Sequence, residues 1–582
     1  MLRVFVSSPG DVGRERELAG QVLNRLQGEY IRRVKLEPYL WEYEPMRATT
    51  DYQGNIPKPS DFDIVICILW SRLGSRLNEK YRHADGSPYA SGTEYELEEA
   101  AESFTKRGTP AIYVYRNQQQ PMIPIEPEDV REEKVRQYKA LQNFVERWFL
   151  NPDGTFRIAS NTYNGLADFQ DKLESDLHKI IEEKAPPLPE SPGARVRFGT
   201  YTKGSPFRRL RAFEFEDAEV FFGRTKAIDD VLNAMQAQAA ADCAFTLIFG
   251  GSGSGKSSLA RAGIMPMLVR PGVVEGIGLW RWATLRPSEG ASDIFAGLAA
   301  ALMSKTALPE MAASGTSAED LTRALREAPG GVPLLIKTNL AQIARDVQTK
   351  EQLNAPPSAR FLLLVDQLEE LFTMADRFPL ETRKRFVAAI GEMARSGTVW
   401  VLATLRSEFY SGCEEIPELV TLKSGQGQYQ LLPPTKSELS QIIRLPAIAA
   451  GLEFEVEAET GTSLDDALLD AAGRNPGALP LIEFTLDELY NRRRDDRVLT
   501  HAAFRELRGI EGALETAAED VFKALPPEVA SLFDVIFRAL VTVEKDSFVR
   551  RVAKMDALGQ MFPRPHPESR APSPAQPRSI QS

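Results

Sequence analysis

Sulfur and imidazole are scarce in this chain. Three cysteines in 582 residues, Cys67, Cys243 and Cys413, are odd in number and far apart; they suggest neither a disulfide framework nor a thiolate metal cluster, and they fit a reducing compartment. The four histidines, His83, His178, His501 and His566, never fall at ligand spacing from one another or from a cysteine. Long apolar runs are missing too. None reaches the roughly 18 residues a membrane span needs, and the chain opens directly into a strand-like LRVFVSS rather than a secretory leader. A cytoplasmic protein without membrane contact is expected. Basic residues are outnumbered, 70 against 81 acidic, for a net charge of −11, which makes nucleic acid an unlikely default ligand.

What is present reads as an ordinary globular composition, 43% hydrophobic and 26% charged. At about 150 residues per domain the length allows roughly four units. The most informative stretch is FTLIFGGSGSGKSS, residues 245–258. Gly250, Gly255, Lys256 and Ser257 satisfy GxxxxGK[ST], in which loop amides wrap phosphates, the lysine reaches the β and γ phosphates and the hydroxyl holds Mg²⁺. A short apolar strand precedes the loop and helix formers follow it, the context that aims amides and helix dipole at an anion. Gly253 and Ser258 complete the loop, and bound ATP or ADP with Mg²⁺ is expected.

Five apolar residues, Phe361 to Val365, end in Asp366, with Glu369 and Glu370 close behind. A buried strand delivering an aspartate to Mg²⁺ is the form of a Walker B element. A following glutamate orients or deprotonates water; Glu370 is preferred and Glu369 stays open, because spacing does not separate them. The next strand, TVWVLATLR, ends at Arg406, where a cation suits a γ-phosphate.

Residues 2 to about 184 alternate strands and helices, with Leu2 to Val6, VKLEPYLW, FDIVICILW and TPAIYVYR as strands and helices from about 12 to 27, 128 to 149 and 166 to 183. The class is doubly wound α/β, in which ligands sit at the carboxyl ends of the strands. That places Ser7, Ser8, Asp11 and Trp70 near any pocket. In EYELEEAAESF the stripe Leu97, Ala100, Ala101 and Phe104 puts Glu94 nearer the buried face than Glu96. Proline and glycine then accumulate without apolar periodicity, and a linker is expected at 185–207.

Two resemblances organise these readings. VFVSSPGDVGRERE, FDIVICILWSRLGSRL and SGTEYELEEA resemble the TIR-like domain at the front of many signalling NTPases. This implies a flavodoxin-like α/β fold over 1–184, with Glu94 or Glu96 as the carboxylate that would cleave NAD; the Trp-Cys pair that commonly precedes it in NAD-cleaving members is missing. VFFGRTKAIDDVL, with Gly223 and Arg224, resembles the hhGRE motif of STAND ATPases, Thr225 standing where an acid is usual. Gly477, Leu479 and Pro480 in NPGALPLIEFTLDELY resemble their GxP motif, whose proline packs on adenine. The five elements follow the STAND order. The resemblance therefore implies a P-loop NTPase domain over 208–430, a helical subdomain over 431–510, a winged-helix-like domain over 511–562 and a disordered tail over 563–582. It further implies a switch that forms homo-oligomers on activation in bacterial, anti-phage immunity. The β-propeller repeats common in this branch are not among these residues; an absent sensor, a sensor in a separate chain, a shortened form of this chain and a protein trigger all stay open. A TIR-like domain that only recruits a partner is the alternative output.

Overall fold

The computed structural model describes residues 1–30, 34–41, 53–83, 85–121, 128–149, 151, 153, 158–184, 201–270, 272–289, 293–473, 479–544 and 547–550. Most of the expected linker (185–200), Gly477 and the expected tail lie outside the described residues. The chain divides into two compact units, Met1–Ile510 and Glu511–Ser582.

The first unit opens with a five-stranded parallel sheet of β1 (Leu2–Ser7), β2 (Leu36–Tyr39), β3 (Ile64–Leu69), β4 (Ala111–Asn117) and β5 (Asn161–Tyr163), in the order β2-β1-β3-β4-β5. This is the flavodoxin-like order, with its switch point between β1 and β3. All six residues of β3, IVICIL, are buried, as a strand covered on both faces requires. Helices α1 (Gly13–Tyr30) and α4 (Gly165–Lys184) pack on one face through Leu18, Val22, Phe169 and Leu173; α2 (Gly92–Arg107) and α3 (Glu128–Phe149) cover the other through Leu97, Leu141 and Phe144.

In α2 the helical phase differs from the expectation. Phe104 is 52% exposed, and the buried positions are Thr93, Glu94, Glu96, Leu97, Ala100 and Ser103. Ser91 caps the helix by accepting from Glu94 N at 3.1 Å, which fixes its start. Phe104 thus leaves the expected stripe, while Glu94 and Glu96 are both buried, at 3% and 4% exposure.

A second parallel sheet comprises β6 (Phe245–Gly250), β7 (Leu279–Leu285), β8 (Ala359–Val365), β9 (Val399–Arg406) and β10 (Gln428–Gln430), in the order β10-β6-β9-β8-β7. The strand of the phosphate loop and the strand before Asp366 thus lie on either side of β9, with Gly250 opposite Arg406 and Val365 opposite Ala403. All three strands end at one edge. Helix α5 (Thr225–Ala240) packs against β6. Helices Lys436–Ala449, Leu464–Gly473, Leu479–Asn491 and His501–Glu506 follow, the first closed by a Thr435–Glu438 capping box.

The end of the expected linker is packed rather than free. Tyr201 and Phe207 are buried, and Tyr201 N donates to Ala449 O at 2.9 Å. The second unit holds helices Pro527–Ala530 and Phe533–Leu540, then an antiparallel ribbon of Val541–Glu544 with Ser547–Arg550.

Candidate functional site

The chain leaves β6 through a loop whose turns need glycine: Gly253 has φ 72° and Gly255 φ 89°, a region that only glycine enters freely. Lys256 then begins a helical segment. Its Nζ donates to Gly250 O at 2.8 Å and Gly251 O at 2.7 Å. Burial lowers its pKa, and Glu369 pulls the other way.

Ser257 Oγ donates to Asp366 Oδ1 at 2.9 Å, and Thr404 Oγ1 on β9 donates to the same oxygen at 2.6 Å. The other oxygen of Asp366 meets Arg261, with N–O distances of 2.8 and 3.1 Å. Asp366 is fully buried, so its charge is compensated by Arg261 and by hydroxyls. This donor set fits a divalent cation held at Ser257, with Asp366 behind it fixing the hydroxyl.

The two glutamates diverge. Glu369 is 4% exposed, accepts from Arg406 N at 3.2 Å and lies 3.1 Å from Arg406 Nε; burial raises its pKa. Glu370 turns away, to Arg286 Nε at 2.8 Å and Ser288 N at 2.7 Å. Of the two, Glu369 is the one that lines the cavity beside the loop.

Lys256, Ser257, Ser258, Gly253, Gly255, Glu369 and Arg406 share a cavity of about 240 Å³. Its far side is apolar, with Phe221, Ile442, Pro446 and Pro480. A Cβ on Gly253 would come within 2.9 Å of Pro480 Cγ, and one on Gly250 within 2.6 Å of Leu431 O. Gly223 is not in the lining of this cavity but lies against Glu438 O and Ile442. Arg224, on the cavity wall, ties Ser254 O and Leu432 O together at 3.1 Å each. Ser258 Oγ accepts from Phe213 N at 3.1 Å and so holds the preceding segment.

Several groups here do not stand out in the sequence. Thr404 is a lone hydroxyl in an apolar strand; Arg261 follows Lys256 by five residues; the segment 209–213, which crosses the cavity, lies in FRRLRAFEF beside the expected linker. An unpaired polar group in an apolar run is the only signal they carry.

The residues expected near a pocket in the N-terminal domain separate. Ser7 Oγ donates to Glu96 Oε2 at 2.6 Å, and Gln53 Nε2 to Glu96 Oε1 at 3.1 Å; Glu96 is buried and its pKa raised by that burial. Glu94 is buried too, but against Arg147, Ala90 N (2.6 Å) and His83. Ser8 Oγ accepts from Arg16 Nε at 2.7 Å. Asp11 and Trp70 line a cavity of about 790 Å³ at the β1/β3 switch point, walled on its other side by Asp229, Asn233 and Glu275 of the NTPase domain.

That wall is an interface. Arg14 donates to Asp229 Oδ1 at 2.8 Å and Asn233 Oδ1 at 2.7 Å, Lys134 to Glu275 at 3.0 Å, and Arg270 pairs with Glu17. Thr225 Oγ1 donates to Gln170 Oε1 at 2.5 Å. The acid expected at position 225 is thus a hydroxyl that meets the N-terminal domain.

A parallel α/β sheet with a glycine loop before a helix, and an acidic strand end beside it, defines a P-loop NTPase. The family model Novel STAND NTPase 1 matches residues 206–571. The chain belongs to that family. Similar solved structures include the ORC2 protein of Aeropyrum pernix in ADPNP-ADP complexes, 14% identical, covering 52% of this chain and 71% of that one with a TM-score of 0.34. The ORC1 protein of the same organism in complex with DNA is 16% identical, covering 55% and 72% with a TM-score of 0.32. A Walker-type ATPase of Pyrococcus abyssi is 13% identical, covering 59% and 96% with a TM-score of 0.31. No curated protein matches the chain. Among the described residues no helix is long and apolar enough to cross a membrane.

Proposed function

We propose that the protein is an ATP-binding and ATP-hydrolysing switch that assembles with further copies of itself to activate its N-terminal TIR-like domain, in bacterial anti-phage immunity. The observation that carries this reading is the gathering of Lys256, Ser257, Glu369 and Arg406 around one cavity.

Lys256 exchanges its two loop carbonyls for phosphate oxygens. Ser257 would hold Mg²⁺, which would supply positive charge at the phosphates. Asp366, with Thr404, keeps the Ser257 hydroxyl in place. Glu369, desolvated and close to Arg406, accepts a proton from the attacking water, and Arg406 stabilises charge at the γ-phosphate. Differential contacts to that phosphate are what bias two conformations. A route to the N-terminal domain runs from the loop through Arg224 to Thr225 and Gln170.

For the output, NAD cleavage is one reading. The partner-recruiting reading is favoured by one observation: Glu94 and Glu96 are both engaged internally, off the cavity at the strand ends. The test is to follow ATP and NAD together in the purified chain with excess ATP and Mg²⁺, for wild type, Lys256→Ala, Glu94→Ala and Glu96→Gln. ATP turnover lost in the lysine variant supports the switch; unchanged turnover there sinks it. NAD loss abolished by either glutamate variant assigns cleavage, and untouched NAD in the wild type leaves recruitment.

A further inference from the structure

Two carboxyl groups line the nucleotide cavity among the described residues: Glu369 at the polar end and Glu483 at the apolar end. Glu483 stands three residues after Pro480 on the same helix, hence on the same face, one turn further from the phosphate loop. It is 7% exposed. Its Oε2 accepts one long hydrogen bond, from Arg208 N at 3.3 Å, and Oε1 has no donor among the described residues. Two arginines adjoin it, yet neither guanidinium hydrogen-bonds with it: Arg208 goes to Asp217, Tyr201 and Ser205, and Arg209 to Asp487 and Glu488.

The segment in front is anchored at both ends, by Arg208 N on Glu483 and by Phe213 N on Ser258. Between them Arg209 takes φ 55°, a conformation that a non-glycine residue holds only under constraint from its surroundings. A strap therefore spans the cavity from its apolar end to the phosphate loop, with one uncompensated carboxyl beside it.

We propose that Glu483 selects the base of the bound nucleotide, its carboxyl donating one hydrogen bond and accepting another along the edge of adenine. This rests on reading the cavity as a nucleotide site. A neutral carboxyl offers one donor and one acceptor, matching the N1 acceptor and N6 donor of adenine; an ionised carboxylate is acceptor-only and matches the N1–H and N2–H of guanine instead. Burial pushes Glu483 up to about 8, with the Arg208 charge opposing and the Asp487 charge adding, so the neutral form prevails at pH 7. The other charged groups that line the cavity are Arg209 and Arg211 on the strap, and Arg224, Lys256, Glu369 and Arg406; Asp487 and Glu488, further along the helix of Glu483, pair with Arg209.

The experiment is equilibrium binding of ribose-labelled fluorescent ADP and GDP to the full chain at pH 7 and pH 9, for wild type, Glu483→Gln and Glu483→Ala. The ratio of the two affinities cancels what Lys256 and Arg224 contribute to phosphate binding. Wild type is expected to prefer the adenine label at pH 7 by roughly tenfold or more and to lose most of that preference at pH 9. Glu483→Gln, whose amide keeps a donor and an acceptor, should hold it at both pH values; Glu483→Ala should lack it at both. An alanine variant that discriminates like wild type, or a wild-type preference that is absent or indifferent to pH, overturns the proposal. Failure of the wild type to bind either label overturns the nucleotide reading itself.

Discussion

Glu369 and Glu370 leave the same strand end towards opposite surroundings because the chain turns sharply between them and β8: Gln367 has φ 60°. Two acidic neighbours in a sequence look alike, and only the turn decides which meets Arg406 and which meets Arg286. Glu369→Gln is expected to lower ATP turnover by roughly 10²- to 10⁴-fold with nucleotide binding retained. Glu370→Gln should leave turnover within a few-fold of wild type and cost about 1–3 kcal/mol of stability, since it loosens buried charged hydrogen bonds. Steady-state turnover and thermal unfolding of both variants check this. Glu15 carries a pH effect. Burial, opposed by the hydrogen bond from Tyr163, pushes its carboxyl up to about 7 from an ordinary 4.5. The folded state thus binds this proton more tightly than the unfolded chain does, so its stabilisation is full below pH 4.5 and is lost as pH rises through about 7. Denaturant unfolding should show wild type losing about 2–3 kcal/mol relative to Glu15→Gln between pH 4.5 and pH 8; parallel curves would refute it.

At the scale of elements, glycines set how closely the helical domain approaches the phosphate loop. Gly223 has φ 75°, and a Cβ there would stand 2.5 Å from Glu438 O and 2.6 Å from Ile442 Cγ1. Gly223→Ala would have to displace the helix Lys436–Ala449, whose Ile442 and Pro446 wall the cavity. The expected result is a loss of roughly 2–3 kcal/mol together with weaker nucleotide binding; thermal unfolding with and without ADP separates the two effects. The GR motif was legible as a motif, but its glycine's purpose was not, because the crowding comes from residues more than two hundred positions away. Helix α2 gives the converse lesson. Its existence follows from local periodicity, whereas the exposure of Phe104, an aromatic in the expected apolar stripe, was decided by the tertiary structure.

Across the whole first unit, the carboxyl edge of the N-terminal sheet faces the NTPase domain. Arg14 and Asp229 are 11% and 14% exposed, shielded enough for their loss to matter. Asp229→Arg sets like charges against each other and is expected to weaken this docking by about 3 kcal/mol. Hydrogen exchange should then quicken in α1 and α4 while β6 and β8 stay protected; unchanged exchange in α1 would mean that the ion pair contributes little. What the sequence by itself determined is local: the strand-loop-helix of the phosphate loop, the apolar strand before Asp366, the flavodoxin-like alternation and the helical run after Pro434. Each is written in neighbouring residues, through periodicity and through glycine and proline placement. Tertiary structure alone decided which carboxylate adjoins Arg406, that Thr404 and Arg261 hold Asp366, that residues 208–213 form a strap across the cavity, and that Thr225 meets Gln170. Those are contacts between positions tens to hundreds of residues apart, and pairings at that distance depend on sheet order and domain docking, which no local pattern encodes.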